Sequence, residues 1–157
     1  MKNNTITDAL KVKVTKKGER FTRVKNPNGP DSAVAEFFLL VDITPTSSTI
    51  YIPLSIASGK KPTGFVYQIE GTKQATIMGA DISCKGSGVT QIALGTLRYA
   101  KIPKGTKATF RIHVEVAAFM HHTYHITLNR INYKHDPSDA RYKHYDEGIE
   151  SGTLILD

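Results

Sequence analysis

The chain has 157 residues, of which 39% are hydrophobic and 22% charged, with a formal net charge of +7 and one cysteine. These figures describe one domain with a single core, and they exclude a disordered chain and a disulfide-stapled secreted module. No apolar run approaches the ~20 residues of a spanning helix, and the basic balance adds attraction to anionic polymers and surfaces without bearing on fold.

Residues 1–8 are polar and read as a flexible tail, with residues 9–157 forming a single domain. Residues 10–14 alternate Leu10, Val12 and Val14 with Lys11 and Lys13, as a first strand with a basic outer face. Lys16-Lys17-Gly18-Glu19 reads as a turn and residues 20–24 as a short second strand anchored by Phe21. Residues 25–31 hold two prolines, two asparagines and a glycine, and must form a loop.

Residues 33–43 form the most apolar strand. Ala35, Phe37, Leu39, Val41 and Ile43 share one face, and Phe38 and Leu40 make the other partly apolar too. A turn at residues 44–48 leads to a short strand that ends at Pro53, which suits an edge. After a loop at residues 58–62, residues 64–70 alternate as a strand. Residues 75–84 are extended with a bulge expected at Gly79, and two short strands flank Gly95.

Residues 108–116 alternate without a fault: Ala108, Phe110, Ile112, Val114 and Val116 face in, Thr109, Arg111, His113 and Glu115 face out. A period of two marks a strand with one wet face. Residues 117–120 read as a corner. Residues 122–133 form a long strand with a bulge near Asn129, and residues 134–148 a polar segment with room for one helical turn at 137–142. Residues 153–156 form a last short strand. Short strands between frequent turn signals predict an all-β fold, an antiparallel two-sheet β-sandwich with little or no helix.

The run from Ile102-Pro103-Lys104-Gly105 through Ala108-Thr109-Phe110-Arg111-Ile112 resembles a turn-and-strand pattern of immunoglobulin-like β-sandwich modules in bacterial cell-surface and secreted proteins. Residues 122–133, and residues 42–53 with Asp42, Ile43, Tyr51, Ile52 and Pro53, are similar to other strands of such modules. The resemblance spans roughly residues 33–133. It implies an immunoglobulin-like or jelly-roll sandwich, a non-catalytic role in display, spacing, adhesion or assembly, and an extracellular or cell-surface location. It carries no catalytic residues. The N-terminal MKNNTITDALKVKV has no apolar signal-peptide core, so a cytoplasmic location and a domain cut from a longer protein both stay open.

No motif for catalysis, phosphate binding or a cofactor is present. Cys84 lies in an alternating stretch and reads as a semi-buried packing residue. His113, His121, His122 and His125 are the sharpest metal candidates. On a strand, however, His121 and His125 stand roughly 13 Å apart, too far to share an ion, so neither metal nor cofactor is expected. Lys11, Lys13 and Lys17 form a basic edge. Arg141, Tyr142, Lys143 and Tyr145 form the best interleaving of cations and aromatics. Leu10, Val12 and Val14 mark an edge strand for pairing with another chain. The expected function is a structural or binding module that engages protein partners or its own copies through sheet edges, with a filament or sheath subunit as one form of it, or that binds an anionic wall polymer or glycan. The alternative is a basic protein that binds nucleic acid or another anionic polymer.

Overall fold

The computed structural model describes residues 4–6 (backbone only), 9–59 and 63–157. Of the expected tail, residues 1–3 and 7–8 lie outside the described residues, as do Lys60, Lys61 and Pro62 of the expected loop. In chain order the strands are β1 (Asn4–Ile6), β2 (Leu10–Val24), β3 (Ser32–Pro45), β4 (Ile50–Pro53), β5 (Ile56–Ser58), β6 (Phe65–Gly71) and β7 (Thr76–Lys85). They continue as β8 (Thr90–Leu94), β9 (Leu97–Ile102), β10 (Ala108–Phe119), β11 (Thr123–Tyr133), β12 (Lys143–Tyr145), β13 (Ile149–Glu150) and β14 (Leu154–Ile155). There is no helix among the described residues, and the expected helical turn at 137–142 is a tight turn closed by Asp139 N–H donating to Asp136 O at 3.0 Å.

The fold is an all-β sandwich of mostly antiparallel sheets. One layer is a five-stranded sheet in the order β1-β2-β3-β10-β7. The facing strands form a six-stranded sheet, in which β11 pairs β6 on one side and β12, β13 and β14 in succession, and a three-stranded sheet, β4-β9-β8. Reciprocal hydrogen bonds between Tyr51 and Lys134, at 2.7 and 2.9 Å, join these two sheets. One pairing breaks the antiparallel rule: β5 runs parallel to β6.

The period-two pattern dictates what is buried. Phe37, Leu39, Val41 and Ile43 of β3 and Phe110, Ile112, Val114 and Val116 of β10 are fully buried. They meet Phe65, Tyr67, Tyr124, Ile126 and Leu128 from the opposite layer in one cluster. The rings of Phe110 and Phe65 lie 5.0 Å apart at 51°, a tilted contact of the kind aromatic quadrupoles favour. Ile50, Ile52, Ala100 and Ile102 close the same core from the three-stranded sheet.

Three expectations need correction. Lys16 to Glu19 is not a turn. β2 runs on through it to Val24, because Thr15 is accommodated as a bulge between Val14, opposite Val41, and Lys16, opposite Leu40. Residues 117–119 are not a corner but the end of β10, paired with residues 32–34 of β3, and the chain reverses at Met120, His121 and His122, with His121 at φ 68°. The polar segment 134–148 contains β12, whose Tyr145 pairs Ile131. The bulge expected near Asn129 is present, between Leu128 and Arg130. That expected at Gly79 is present beside it, at Met78, between the pairs Gly79–Glu115 and Ile77–Val116.

Candidate functional site

The five-stranded sheet turns its inner face to the core and leaves its outer face wet. Cross-strand pairing decides which side chains meet there. Arg20 of β2 lies opposite Glu36 of β3, and His113 of β10 lies between Phe38 of β3 and Asp81 of β7. Four strands thus contribute one polar chain. Arg20 Nε donates to Glu36 Oε2, Glu36 Oε1 lies 3.2 Å from His113 Nε2, and His113 Nδ1 lies 3.2 Å from Asp81 Oδ2. The imidazole stacks on Phe38, centroids 4.7 Å apart at 17°, and the Arg20 guanidinium lies 5.3 Å from the same ring. The hydrogen bond from Arg20 is the main reason the Glu36 carboxyl is held below its ordinary pKa. Burial works against this, and His113 assists it.

Next to this chain the outer face sinks into a groove of about 540 Å³. Phe38 and Leu40 form its floor, and Gly18 leaves the β2 side open. Lys16, Lys85 and Arg111 stand around it, and among the described residues no carboxylate and no histidine line it. Three cations around an apolar floor attract an anion that has an apolar or flat portion. Cys84 reaches the groove from the core side. Burial pushes its thiol up to about 11, so it stays protonated at neutral pH, and it packs against the core as the sequence led us to expect.

The sequence-derived site residues separate in space. Lys11 and Lys13 lie on the outer face, opposite Thr44 and Asp42. Lys17 lies opposite inward-facing Leu39, because the bulge at Thr15 shifts the phase of β2, and Lys16 takes its place on the outer face. Leu10 and Val12 are buried in the core, and Lys11 to Lys13 are paired by β1 on one side and β3 on the other. That stretch is therefore not a free edge. Among the described residues, the open edge of β2 begins at Val14, which is half-buried.

Arg141, Tyr142, Lys143 and Tyr145 do not form a stacking ladder. Tyr145 is in the core. Tyr142 is half-buried under the Lys134 ammonium, 4.5 Å from its ring centroid, and its hydroxyl is pushed up to about 12, first by burial and then by its hydrogen bond with Tyr99. Only Arg141 and Lys143 remain exposed. The tyrosines anchor the segment to the sandwich.

The histidines do not come together. His122 Nδ1 lies 2.9 Å from Thr72 Oγ1, and His121 N–H donates to Leu156 O in the reversal. His125 lies on the outer face of the six-stranded sheet, its Nε2 at 2.8 Å from Glu70 Oε2 and 3.2 Å from Glu150 Oε1. Sequence reasoning did not group Lys16, Lys85 and Arg111 with one another, nor Glu70 and Glu150 with His125. The outward positions of Arg111 and His113 were legible, but which residues flank them depends on register between strands far apart in the chain. The chain matches no family model, and no curated protein and no solved structure is significantly similar to it.

Proposed function

We propose that this chain is a non-catalytic structural and binding module of a cell-surface or extracellular protein, and that its five-stranded sheet is the working element. One observation carries the reading. Among the described residues, the sheet ends in two long strands paired on one side only: β2 over residues 14–24, and β7. Such rows of backbone donors and acceptors are templates for strand addition. β2, β3, β10 and β7 alternate in direction. A second copy can therefore place its β2 beside β7 and continue the antiparallel order, with every copy in the same orientation. That is a head-to-tail contact, which propagates instead of closing. Ile77 and Met78 on β7, and Phe21 and Val24 on β2, are exposed apolar groups suited to such a joint. Pairing β2 with its own copy would set Lys16, Lys17, Arg20 and Arg23 against like charges, which is unfavourable. The resemblance of residues 33–133 to immunoglobulin-like surface modules points to the same class of function.

The groove favours a second reading, an anionic polymer seated over Lys16, Lys85 and Arg111. Light scattering behind a sizing column, over protein concentration and salt, with and without a sulfated polysaccharide, tests both readings. Assembly through the edges predicts growth with concentration that disappears in the double variant Ile77→Lys, Met78→Lys. Polymer binding predicts a monomer that takes up the polysaccharide with affinity falling steeply as salt rises. A monomer that binds nothing at low salt overturns both.

A further inference from the structure

We infer that His125, Glu70 and Glu150 form a binding site for a divalent transition metal of the zinc class, built on the outer face of the six-stranded sheet and independent of the groove. Three strands bring the residues together. His125 of β11 pairs directly with Glu70 of β6, and Glu150 of β13 pairs with Thr127, two residues along the same face. One donor atom from each residue lies within 4.8 Å of the other two.

The second observation concerns hydrogen bonding. Among the described residues, two buried side-chain polar atoms have no hydrogen-bond partner, His125 Nε2 and Thr127 Oγ1. They are neighbours on this one face. Buried polar atoms are nearly always satisfied, and an orphan needs an explanation. His125 Nε2 does have carboxylate oxygens at 2.8 and 3.2 Å, yet neither lies where a ring N–H can point at it. Metal coordination accounts for that placement. With bonds of ~2.1 Å and angles between ~90° and ~110°, ligand atoms sit ~3.0–3.4 Å apart, well off the nitrogen's own axis. Here the 3.2 Å contact to Glu150 is a ligand-neighbour distance and the 2.8 Å contact to Glu70 is slightly shorter than one, while neither direction is that of a hydrogen bond.

The surroundings fit. Gln68 Nε2 donates to Glu70 Oε1 at 2.5 Å, leaving Oε2 to face the histidine, and Asn129 Nδ2 donates to Gln68 Oε1 at 3.2 Å. Such outer contacts fix the orientation of ligating carboxylates. Two carboxylates neutralise a dication, and the imidazole selects zinc-like ions over calcium and magnesium. The Glu70 and Glu150 side chains are 44% and 65% exposed, so the ion has a path in and room for a solvent ligand. Among the described residues the other cluster of this kind, Glu36, His113 and Glu115, lacks the second feature: both nitrogens of His113 have hydrogen-bonding acceptors and Arg20 already neutralises Glu36. A bound ion would tie β13, two residues long, to β11 and β6.

The test uses the full chain, freed of metal with a chelator and titrated with Zn²⁺ by calorimetry, with Ca²⁺ as comparison. Co²⁺ is followed by its visible absorption. The expected result is one Zn²⁺ per chain, a rise in melting temperature on binding, and a Co²⁺ band. His125→Gln and Glu150→Gln each weaken Zn²⁺ binding by about tenfold or more and remove the band, while His113→Gln leaves both unchanged. Circular dichroism confirms that the variants are folded; Glu150 is exposed enough that its variant keeps the test alive if His125→Gln does not fold. Absence of saturable Zn²⁺ binding, unchanged binding in a folded His125 or Glu150 variant, or loss of binding in His113→Gln overturns the inference.

Discussion

Glu36 shows how much a single side chain depends on its neighbours across a sheet. In sequence it is a lone acid interrupting an apolar strand. In the fold it is mostly covered, bonded to Arg20 on one side and His113 on the other. Its carboxyl is held below the ordinary value of 4.5, chiefly by the bond from Arg20. A lowered folded pKa contributes stability that is present above the unfolded pKa and is lost as pH falls through the folded one. Glu36→Gln should therefore melt a few degrees below the wild type at pH 6–7, on the order of 1 kcal/mol because Arg20 is largely solvated. The two melting curves should converge as pH falls below about 4.5 and through the lowered pKa of the folded state. Thermal melts at falling pH check this, and a gap that does not narrow in acid would mean the side chain acts through packing.

At the scale of elements, two glycines, one just before a strand and one within a strand, behave oppositely. Gly64 leads into β6, and its backbone is held from two directions: it accepts from Asn132 N–H at 2.7 Å and donates to Ser55 Oγ at 3.2 Å. A Cβ there would lie 1.9 Å from Pro53 O. Gly64→Ala should cost about 1–3 kcal/mol, as forced overpacking does. Gly79 borders the bulge in β7, and nothing lies within 4 Å of a Cβ placed on it. Gly79→Ala should be neutral or stabilising by about 0.4–1 kcal/mol, because it restricts the unfolded chain without meeting anything in the folded one. Urea denaturation of the pair reads both signs. The sequence marked Gly79 as a bulge, one residue from where it lies, but could not mark Gly64 as obligatory, since the clash is with a carbonyl eleven residues away.

At the scale of the molecule, stability rests on the contact between layers. Phe110 of β10 meets Phe65 of β6 across the core, so truncating it empties the interface rather than one sheet. Phe110→Ala should cost about 3–5 kcal/mol, against a total of about 5–15 kcal/mol for a domain of this kind. It should lower the urea midpoint with little change in slope if two-state unfolding is kept.

The all-β class, the buried faces of β3, β10 and β11, and the bulges near Gly79 and Asn129 were determined by the sequence alone. Each is a local signal: a period of two, a turn residue, or a break in the alternation. Tertiary structure alone decided the rest. Lys16 to Glu19 carries turn residues yet continues β2, because pairing with β3 outweighs local preference. Strands of two or three residues such as β12 and β13 have no period to read and exist only because β11 lies beside them. The groove and the His125 cluster join residues 16, 85 and 111 and residues 70, 125 and 150. Their spacing along the chain carries no pattern, since a sheet brings side chains together by register between distant strands, and register is set by the packing of the whole core.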